Sequence, residues 1–342
     1  MASRGLLILT SEEVDAILLH RKLQIIEIIK EAYVAHRTGE SSLPNSLFLR
    51  FPNGNGNRII ALPAYLGAEF NVAGVKWVSS FPQNINSGLN RASAVIILNS
   101  PVTGQPFCLI EGSIISSNRT AASAVLAART LHSESSPNSV GFIGCGPINF
   151  EIACFMLAVW PEVKKFVLFD IDPERAEQFG MKCRALSESL EIEPVPQTAT
   201  LLSKTPLVSI ATNTGTPHIN DLSMCPAGAT ILHISLRDLS PEVILANDNV
   251  VDDVDHVCRA QTSIHLGEQL SGNRDFIRCT LADVLQNAAP PRRDQNGVTI
   301  FSPFGLGVLD LALGKLVYES SLQQNYGVVI NSFLPESYMQ QV

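Results

Sequence analysis

The chain has 342 residues, with 46% hydrophobic and 16% charged, a balance that supports about two domains with large cores and excludes wholesale disorder. Its formal net charge is −8, and no Lys/Arg cluster stands out, which disfavours nucleic acid as a partner. No apolar run reaches the roughly 18 residues of a membrane span. Seven scattered cysteines without a Cys-x-x-Cys pair fit buried thiols in a reducing compartment, the cytoplasm, better than disulfides or zinc. The first ten residues read as a strand and not as a signal peptide. Thr10-Ser-Glu-Glu13 has capping-box spacing and predicts a helix, and a second helix is expected over Leu23–His36, with Gly39 as its stop. Strands are expected at Leu47–Phe51 and Arg58–Leu62 around a turn at Pro52–Asn57, then at Asn71–Ser79, Ala94–Leu98 and Phe107–Ile110. Residues 40–110 therefore predict an antiparallel sheet.

An Ala- and Ser-rich helix follows over Ser113–Leu131 and contains Asn118-Arg-Thr-Ala-Ala122. The polar segment 132–139 is the expected domain boundary. Beyond it strands and helices alternate, with strands at 140, 166, Leu207–Ala211, Thr230–Ile234, Val250–Asp252 and Val298–Phe301 and a last helix over Leu309–Ser320. That alternation predicts a Rossmann-like, doubly wound parallel sheet over residues 133–302. Residues 1–132 and 303–342 form the second, mainly antiparallel α+β domain.

The stretch Val140–Asp170 carries a specific chemistry. A strand (Val140–Ile143), a turn (Gly144-Cys-Gly146), a helix and a strand ending in Asp170 make a dinucleotide fingerprint, with the acid near the expected spacing of roughly 20 residues. Gly144 allows the tight turn and Gly146 lets backbone approach a pyrophosphate. The helix opening at Pro147, Ile148 and Asn149 offers unpaired N–H groups and a positive dipole end. Asn149 stands where the fingerprint has its third Gly. Asp170 would accept the ribose hydroxyls and repel a 2′-phosphate, which favours NAD over NADP. Asp172 is a rival acid whose plainer role is N-cap for a helix from Pro173.

Other candidates lie further along the chain. Lys76 sits in an apolar strand, where it is either a solvated face residue or a site cation. Arg119 lies among small residues on its helix, either satisfying carbonyls at a domain junction or clamping a substrate carboxylate in a fork. Asp238 falls just past a parallel strand, where ligands of such sheets bind, and reads as a general base or as a loop acid beside the better N-cap Ser240. Thr212-Asn213-Thr214 would line the cofactor by the same geometry or form an ordinary turn. Arg50, Arg58 and Arg91 are cations near loops. No His/Cys/Asp cluster has metal-ligand spacing.

With these residues placed, the chain resembles the ornithine cyclodeaminase/mu-crystallin family over nearly its whole length. The carriers are Gly74-Val-Lys76, Ser116-Ser-Asn-Arg-Thr-Ala-Ala122, Gly144-Cys-Gly146, Ser235-Leu-Arg-Asp238 and Ser302-Pro-Phe-Gly305 through Asp310. Within the family it is most similar to dehydrogenases of 2,3-diaminopropionate biosynthesis in siderophore and peptide-antibiotic pathways. Arg58-Ile-Ile-Ala-Leu-Pro63 and Arg91-Ala-Ser-Ala-Val-Ile-Ile-Leu-Asn99 carry that closer match. The resemblance implies an NAD-dependent enzyme acting on N-(2-amino-2-carboxyethyl)-L-glutamate, as a homodimer with the antiparallel domain at the interface. It implies Asp238 and Lys76 in catalysis, Arg119, Lys76, Arg50 and Arg91 on substrate carboxylates, and Ser235 and Arg119 near the cofactor. Two departures bear on substrate. Ornithine-type enzymes keep a carboxylate where this chain has Ile59, Ile60 and Ala61, which argues against ornithine. The family's early basic residue falls at Ser46, with Arg50 the nearest replacement. Rival readings are an internal-redox cyclodeaminase, another amino-acid dehydrogenase or imine reductase, and a non-catalytic NAD-binding, crystallin-like protein.

Overall fold

The structure is a computed structural model that describes residues 4–52 and 56–336; residues 53–55 of the expected Pro52–Asn57 turn and the first three residues of the expected N-terminal strand lie outside the described residues. The chain divides into two compact units, Met1–Arg119 with Leu306–Val342 and Thr120–Gly305. The division falls inside a helix rather than at the polar segment 132–139. The Ala-rich sequence Ser113–Leu131 is helical without interruption, so no loop marks the change.

The first unit opens with β1 (Leu6–Leu9), α1 (Ser11–Leu18) and α2 (Lys22–Arg37). The Thr10 N–H donates to the Glu13 carboxylate at 2.9 Å, so the box holds the start of α1. Gly39 has a φ of +82° and ends the region of α2. Then come β2 (Ser41–Ser42), β3 (Leu47–Arg50), β4 (Arg58–Leu66), β5 (Val72–Ser80), β6 (Ala92–Asn99), β7 (Pro106–Glu111) and α3 (Ser113–Leu131).

The second unit holds β8 (Ser139–Ile143), α4 (Pro147–Val159), β9 (Lys165–Phe169), α5 (Pro173–Leu186), β10 (Glu191–Pro194), α6 (Thr198–Lys204), β11 (Leu207–Ile210) and β12 (Thr230–His233). It continues through α7 (Pro241–Ala246), β13 (Asp248–Val251), α8 (Val254–Val257), α9 (Ser263–Ser271), β14 (Ile277–Thr280), α10 (Leu281–Leu285) and β15 (Thr299–Ser302). The chain then returns to the first unit with α11 (Gly307–Gln324) and β16 (Val328–Ile330).

The first sheet runs β16-β1-β7-β6-β5-β4-β2, with β3 also paired to β4. Its middle is antiparallel as the alternation predicts; β1 adds a parallel pair with β7, and β16 closes the other edge of β1 antiparallel. On the inner face, Leu62, Ala64, Leu66, Ile96, Leu98, Cys108 and Ile110 are buried. Gly74 sets how α11 lies there: a Cβ on Gly74 would stand 2.2 Å from the Ile97 carbonyl oxygen and 3.0 Å from Leu311 Cδ2. On the outer face, Trp77, Tyr65 and Val95 stay exposed.

The second sheet runs β10-β9-β8-β11-β12-β15-β13-β14, and its pairs are all parallel. The chain starts at β8, winds outward through β9 and β10, then crosses back to β11. The order therefore reverses between β8 and β11, and ligands of such sheets bind at that point, beyond the strands' carboxyl ends. The edge strand β10 was not expected from its charged Glu-Ile-Glu-Pro sequence; Lys165 on β9 holds it through ion pairs of 2.6 Å to both Glu191 and Glu193.

Candidate functional site

The turn after β8 lies at the reversal point of the second unit. Gly144 takes a φ of +86°, a backbone that L side chains rarely adopt. Space demands glycine as well, since a Cβ there would be 2.6 Å from the Ala211 carbonyl oxygen. The Gly144 N–H donates to Phe169 O at 2.8 Å, joining the turn to the end of β9. Gly146 caps α4, and a Cβ on it would meet nothing within 4 Å. Open space thus stands beside a helix N-terminus whose first-turn N–H groups, at Ile148 and Asn149, have no partner within the helix, while Pro147 has no N–H to leave unpaired. This cradle fits the pyrophosphate of a dinucleotide.

Asp170 sits at the end of β9 as expected. One carboxylate oxygen accepts the Cys145 N–H at 2.7 Å and the other the Asp172 N–H at 3.0 Å. Asp172 itself caps α5, accepting the Glu174 N–H at 3.1 Å, so the rival acid is engaged in capping. Asn149 keeps its place at the helix start, while its side chain is engaged within the protein. It is fully buried, its amide donates to Ile143 O and Gly144 O, and its oxygen accepts from Ser209 Oγ at 2.7 Å. Its side chain ties α4 to β8 and β11, leaving only its backbone N–H for a phosphate. Asn149 stands in for the third Gly by supplying that tie.

Asp238 is also fully buried. Thr212 Oγ1 donates to one carboxylate oxygen at 2.5 Å and Ser235 Oγ to the other. Burial pushes its pKa up, but the His233 imidazole and these two hydroxyls outweigh that and hold the carboxyl below its usual range. The Asp238 backbone N–H donates to His233 Nε2 at 3.2 Å, and Nδ1 faces Ser302 Oγ at 3.2 Å. Thr212 and Ser235, expected to line the cofactor, therefore spend their hydroxyls on Asp238. Asn213 is exposed between them and Thr214, whose N–H bonds back to Thr212 Oγ1 at 3.2 Å. Ser240 caps α7 as expected, accepting the Val243 N–H at 3.3 Å.

In the first unit the structure brings Lys76 and Arg119 together and adds a residue that the sequence did not single out for a role. Lys76 is 2% exposed, so the solvated-face alternative is wrong. Its Nζ lies 2.7 Å from Asp310 Oδ2 and donates to Ser116 Oγ at 3.1 Å. Arg119 Nε donates to Asp310 Oδ1 at 3.0 Å, and its Nη2 reaches Ser116 Oγ at 3.5 Å. Burial and then the Arg119 charge push the Lys76 pKa down from 10.5 to about 8, against the pull of Asp310.

Arg50 and Arg91 are not in that cluster. Arg50 is directly opposite Arg58 across β3 and β4, and Arg58 is opposite Ser80 on β5. Lys76 is opposite Leu62 in the same register, so Arg50, Arg58 and Lys76 share a face. Four residues of strand separate the two rows, about 13 Å. Arg91 precedes β6, whose Ala92 is opposite Ser80, and its carbonyl accepts the Phe81 N–H at 2.8 Å. The sequence named Arg58 only as a cation near a loop and Asp310 only within the family motif, and gave neither a site role. The signal for Arg58 was its even spacing from Leu62 and Ala64 on one strand.

The model of the Ornithine cyclodeaminase/mu-crystallin family matches residues 6–325. N-((2S)-2-amino-2-carboxyethyl)-L-glutamate dehydrogenase of Staphylococcus aureus is 28% identical, covering 90% of this chain and 93% of its own. Alanine dehydrogenase of Archaeoglobus fulgidus is also 28% identical, covering 96% and 98%. Among solved structures, an archaeal alanine dehydrogenase dimer with bound NAD superposes with a TM-score of 0.85 at 25% identity, covering 96% of this chain and 99% of that one.

Proposed function

The chain belongs to the ornithine cyclodeaminase/mu-crystallin family, and we propose that this NAD-dependent oxidoreductase of CH–NH bonds catalyses the oxidative hydrolysis of N-(2-amino-2-carboxyethyl)-L-glutamate to 2,3-diaminopropionate and 2-oxoglutarate. The observation that carries the substrate is the distribution of cations on one face of the first sheet. Lys76 and Arg119 mark one point; Arg50 and Arg58 mark another about 13 Å along the strands, with Arg91 beside the second row. A substrate with carboxylates at separated ends matches two anchor points, whereas alanine needs one. Ile59, Ile60 and Ala61 on β4 offer no carboxylate for the second amine of ornithine.

NAD⁺, when bound, supplies the hydride acceptor for the α-carbon of the glutamate half. Gly144, Gly146 and the first turn of α4 would hold its pyrophosphate, and Asp170 would take its ribose. Lys76 and Arg119 hold the carboxylate next to the reacting carbon. The secondary amine loses its proton as the C=N bond forms; Asp238 is the terminal acceptor. Its carboxylate is buried, so the proton travels by the Thr212 or Ser235 hydroxyl that is bonded to it. Water then adds to the C=N carbon, and the C–N bond breaks to release the amine and the oxo acid.

The proposal includes a homodimer. On the outer face of the first sheet Trp77 lies between Ala61 and Val95, and Val75 between Pro63 and Ile97. Trp77 is 42% and Val95 38% exposed. An apolar sheet face of this kind suits a second copy of itself, and the archaeal alanine dehydrogenase neighbour is a dimer. It also includes the cytoplasm as compartment, supported by seven free thiols; among the described residues no helix is long and apolar enough to cross a membrane. The diaminopropionate formed would feed a siderophore or a peptide natural product.

The test is to mix the protein with NAD⁺ and N-(2-amino-2-carboxyethyl)-L-glutamate, with ornithine and alanine as comparisons, and follow NADH and product masses. Stoichiometric NADH with 2-oxoglutarate and diaminopropionate is expected. Proline from ornithine without net NADH, or pyruvate from alanine as the fast reaction, would replace the substrate named here; binding of NAD without any turnover would leave a ligand-binding protein.

A further inference from the structure

Two buried cations side by side are unstable without an anion, because each raises the energy of the other and both have left water. The first unit supplies that anion from far along the chain. Asp310 lies in the first turn of α11 and is fully buried. Its two oxygens are divided: Oδ2 meets Lys76 at 2.7 Å and Oδ1 meets Arg119 Nε at 3.0 Å. α11 can bring it there because Gly74, two residues before Lys76 on the same face of β5, lets the helix lie close on the sheet.

We propose that Asp310 is the positioning residue of the carboxylate clamp: it fixes Lys76 Nζ and Arg119 Nε on its two oxygens and sets the clamp's net charge to +1, so that the clamp takes one substrate carboxylate. Asp310 takes Arg119 through Nε, and Ser116 Oγ lies 3.5 Å from Nη2; a carboxylate bound by the remaining guanidinium N–H groups would meet a planar fork. The Ser116 hydroxyl accepts from both cations and keeps their spacing. With the substrate carboxylate in place, two cations face two anions and the buried cluster is neutral.

The inference rests on the reading of Lys76 and Arg119 as the clamp. The groups facing Lys76 are Asp310 from α11, Arg119 and Ser116 from α3, and the apolar Leu62 and Ile96 across the neighbouring strands. Asp310 is thus the anion that keeps Lys76 charged near neutral pH.

The experiment is to titrate the side-chain nitrogen of Lys76 by NMR in full-length protein labelled with 15N-lysine, assigning the signal with Lys76→Met. The midpoint is expected near 8 in the native protein. In Asp310→Asn it should fall by about one pH unit or more, and Asp310→Glu should recover most of the loss. In parallel, the KM of Asp310→Asn for N-(2-amino-2-carboxyethyl)-L-glutamate should rise at pH values where the native KM is flat, with kcat changed less. A folded Asp310→Asn protein, judged by circular dichroism and NADH binding, whose Lys76 midpoint is unmoved would overturn the proposal. If that variant does not fold, Arg119→Gln serves instead: with one cation gone and Asp310 left to Lys76 alone, the midpoint should rise above its native value, and a constant or lower midpoint would overturn the proposal. The titration needs no turnover, so an absence of activity on this substrate, which would count against the function, is separate from an unmoved midpoint, which counts against Asp310.

Discussion

In the proposed function the two units recognise anions in different ways. The second unit would use backbone, a glycine turn and the first N–H groups of α4. The first unit uses side chains, with Lys76 and Arg119 gathered on Asp310 in the interior. Backbone donors are fixed by the fold and need no counter-ion. Side-chain cations carry full charge and must bring an anion with them when buried. One mode therefore depends on conformation, the other on charge balance.

The largest effect is expected from breaking the conformational half. Gly144→Val places a branched side chain at a φ of +86° with its Cβ 2.6 Å from Ala211 O. Strain of about 1–3 kcal/mol, added to the displaced turn, should weaken NADH binding by ~100-fold or more. Fluorescence titration of NADH checks this. Lys76 is expected to titrate in this variant as in the native protein, since the clamp is within the other unit.

Breaking the charge half comes next. Arg119→Lys keeps the charge and loses the fork, so kcat/KM for N-(2-amino-2-carboxyethyl)-L-glutamate should drop ~10- to 100-fold, the worth of one charge-assisted hydrogen bond. NADH affinity should hold. Near-native turnover of this variant would remove Arg119 from the clamp.

The same contrast explains how much could be read from the sequence. The cofactor half is local: Gly144, Gly146 and Asp170 belong to one strand-turn-helix-strand unit, and their spacing gave the turn, the helix start and the acid. Where short polar residues of that half were expected at the cofactor, the structure shows side chains bonded within the protein. Asn149 binds Ile143 O, Gly144 O and Ser209, and Thr212 and Ser235 bind Asp238. Short polar residues at strand ends serve ligands and backbone equally well, and sequence pattern does not separate the two. The clamp joins a strand, a helix and a second helix 191 positions beyond Arg119. Lys76 in an apolar strand hinted at a partner, but no spacing rule points from Lys76 to Asp310. Packing at Gly74 makes that connection, and it is visible only in three dimensions. Among whole elements, β10, β14 and β16 were missed because an edge strand of three or four residues carries too little alternation to stand out.

A smaller effect sharpens the cofactor side. Asp170→Asn keeps an acceptor and removes the charge that repels a 2′-phosphate. The preference for NAD⁺ over NADP⁺, read as the ratio of kcat/KM values, should narrow by about tenfold. An unchanged ratio would mean that neutral features of the β9 end, such as the 93% exposed Ile171, decide the choice.

A last effect, on stability and not on binding, separates two buried carboxylates, one in each unit. Asp310 has two cations. Asp252 has none among the described residues: it accepts the backbone N–H groups of Phe304 and Gly305, both at 2.8 Å, and of Asp253 at 2.9 Å. Burial raises its pKa from 3.8 to about 6, and those three donors limit the rise without cancelling it. The folded state therefore binds the proton more tightly than the unfolded chain. The stability this contributes is fully present below about pH 4 and is lost as pH rises through 6. At 1.4 kcal/mol per pH unit the loss is about 3 kcal/mol at most. Asp252→Asn cannot titrate, so urea melts from pH 4 to 7 should give a difference between native and variant that declines by about that amount and then levels off. A difference that stays constant over this range would mean that the three amides satisfy the charged carboxylate as well as two cations satisfy Asp310, and that backbone donors can replace counter-ions in the interior as they do at the cofactor turn.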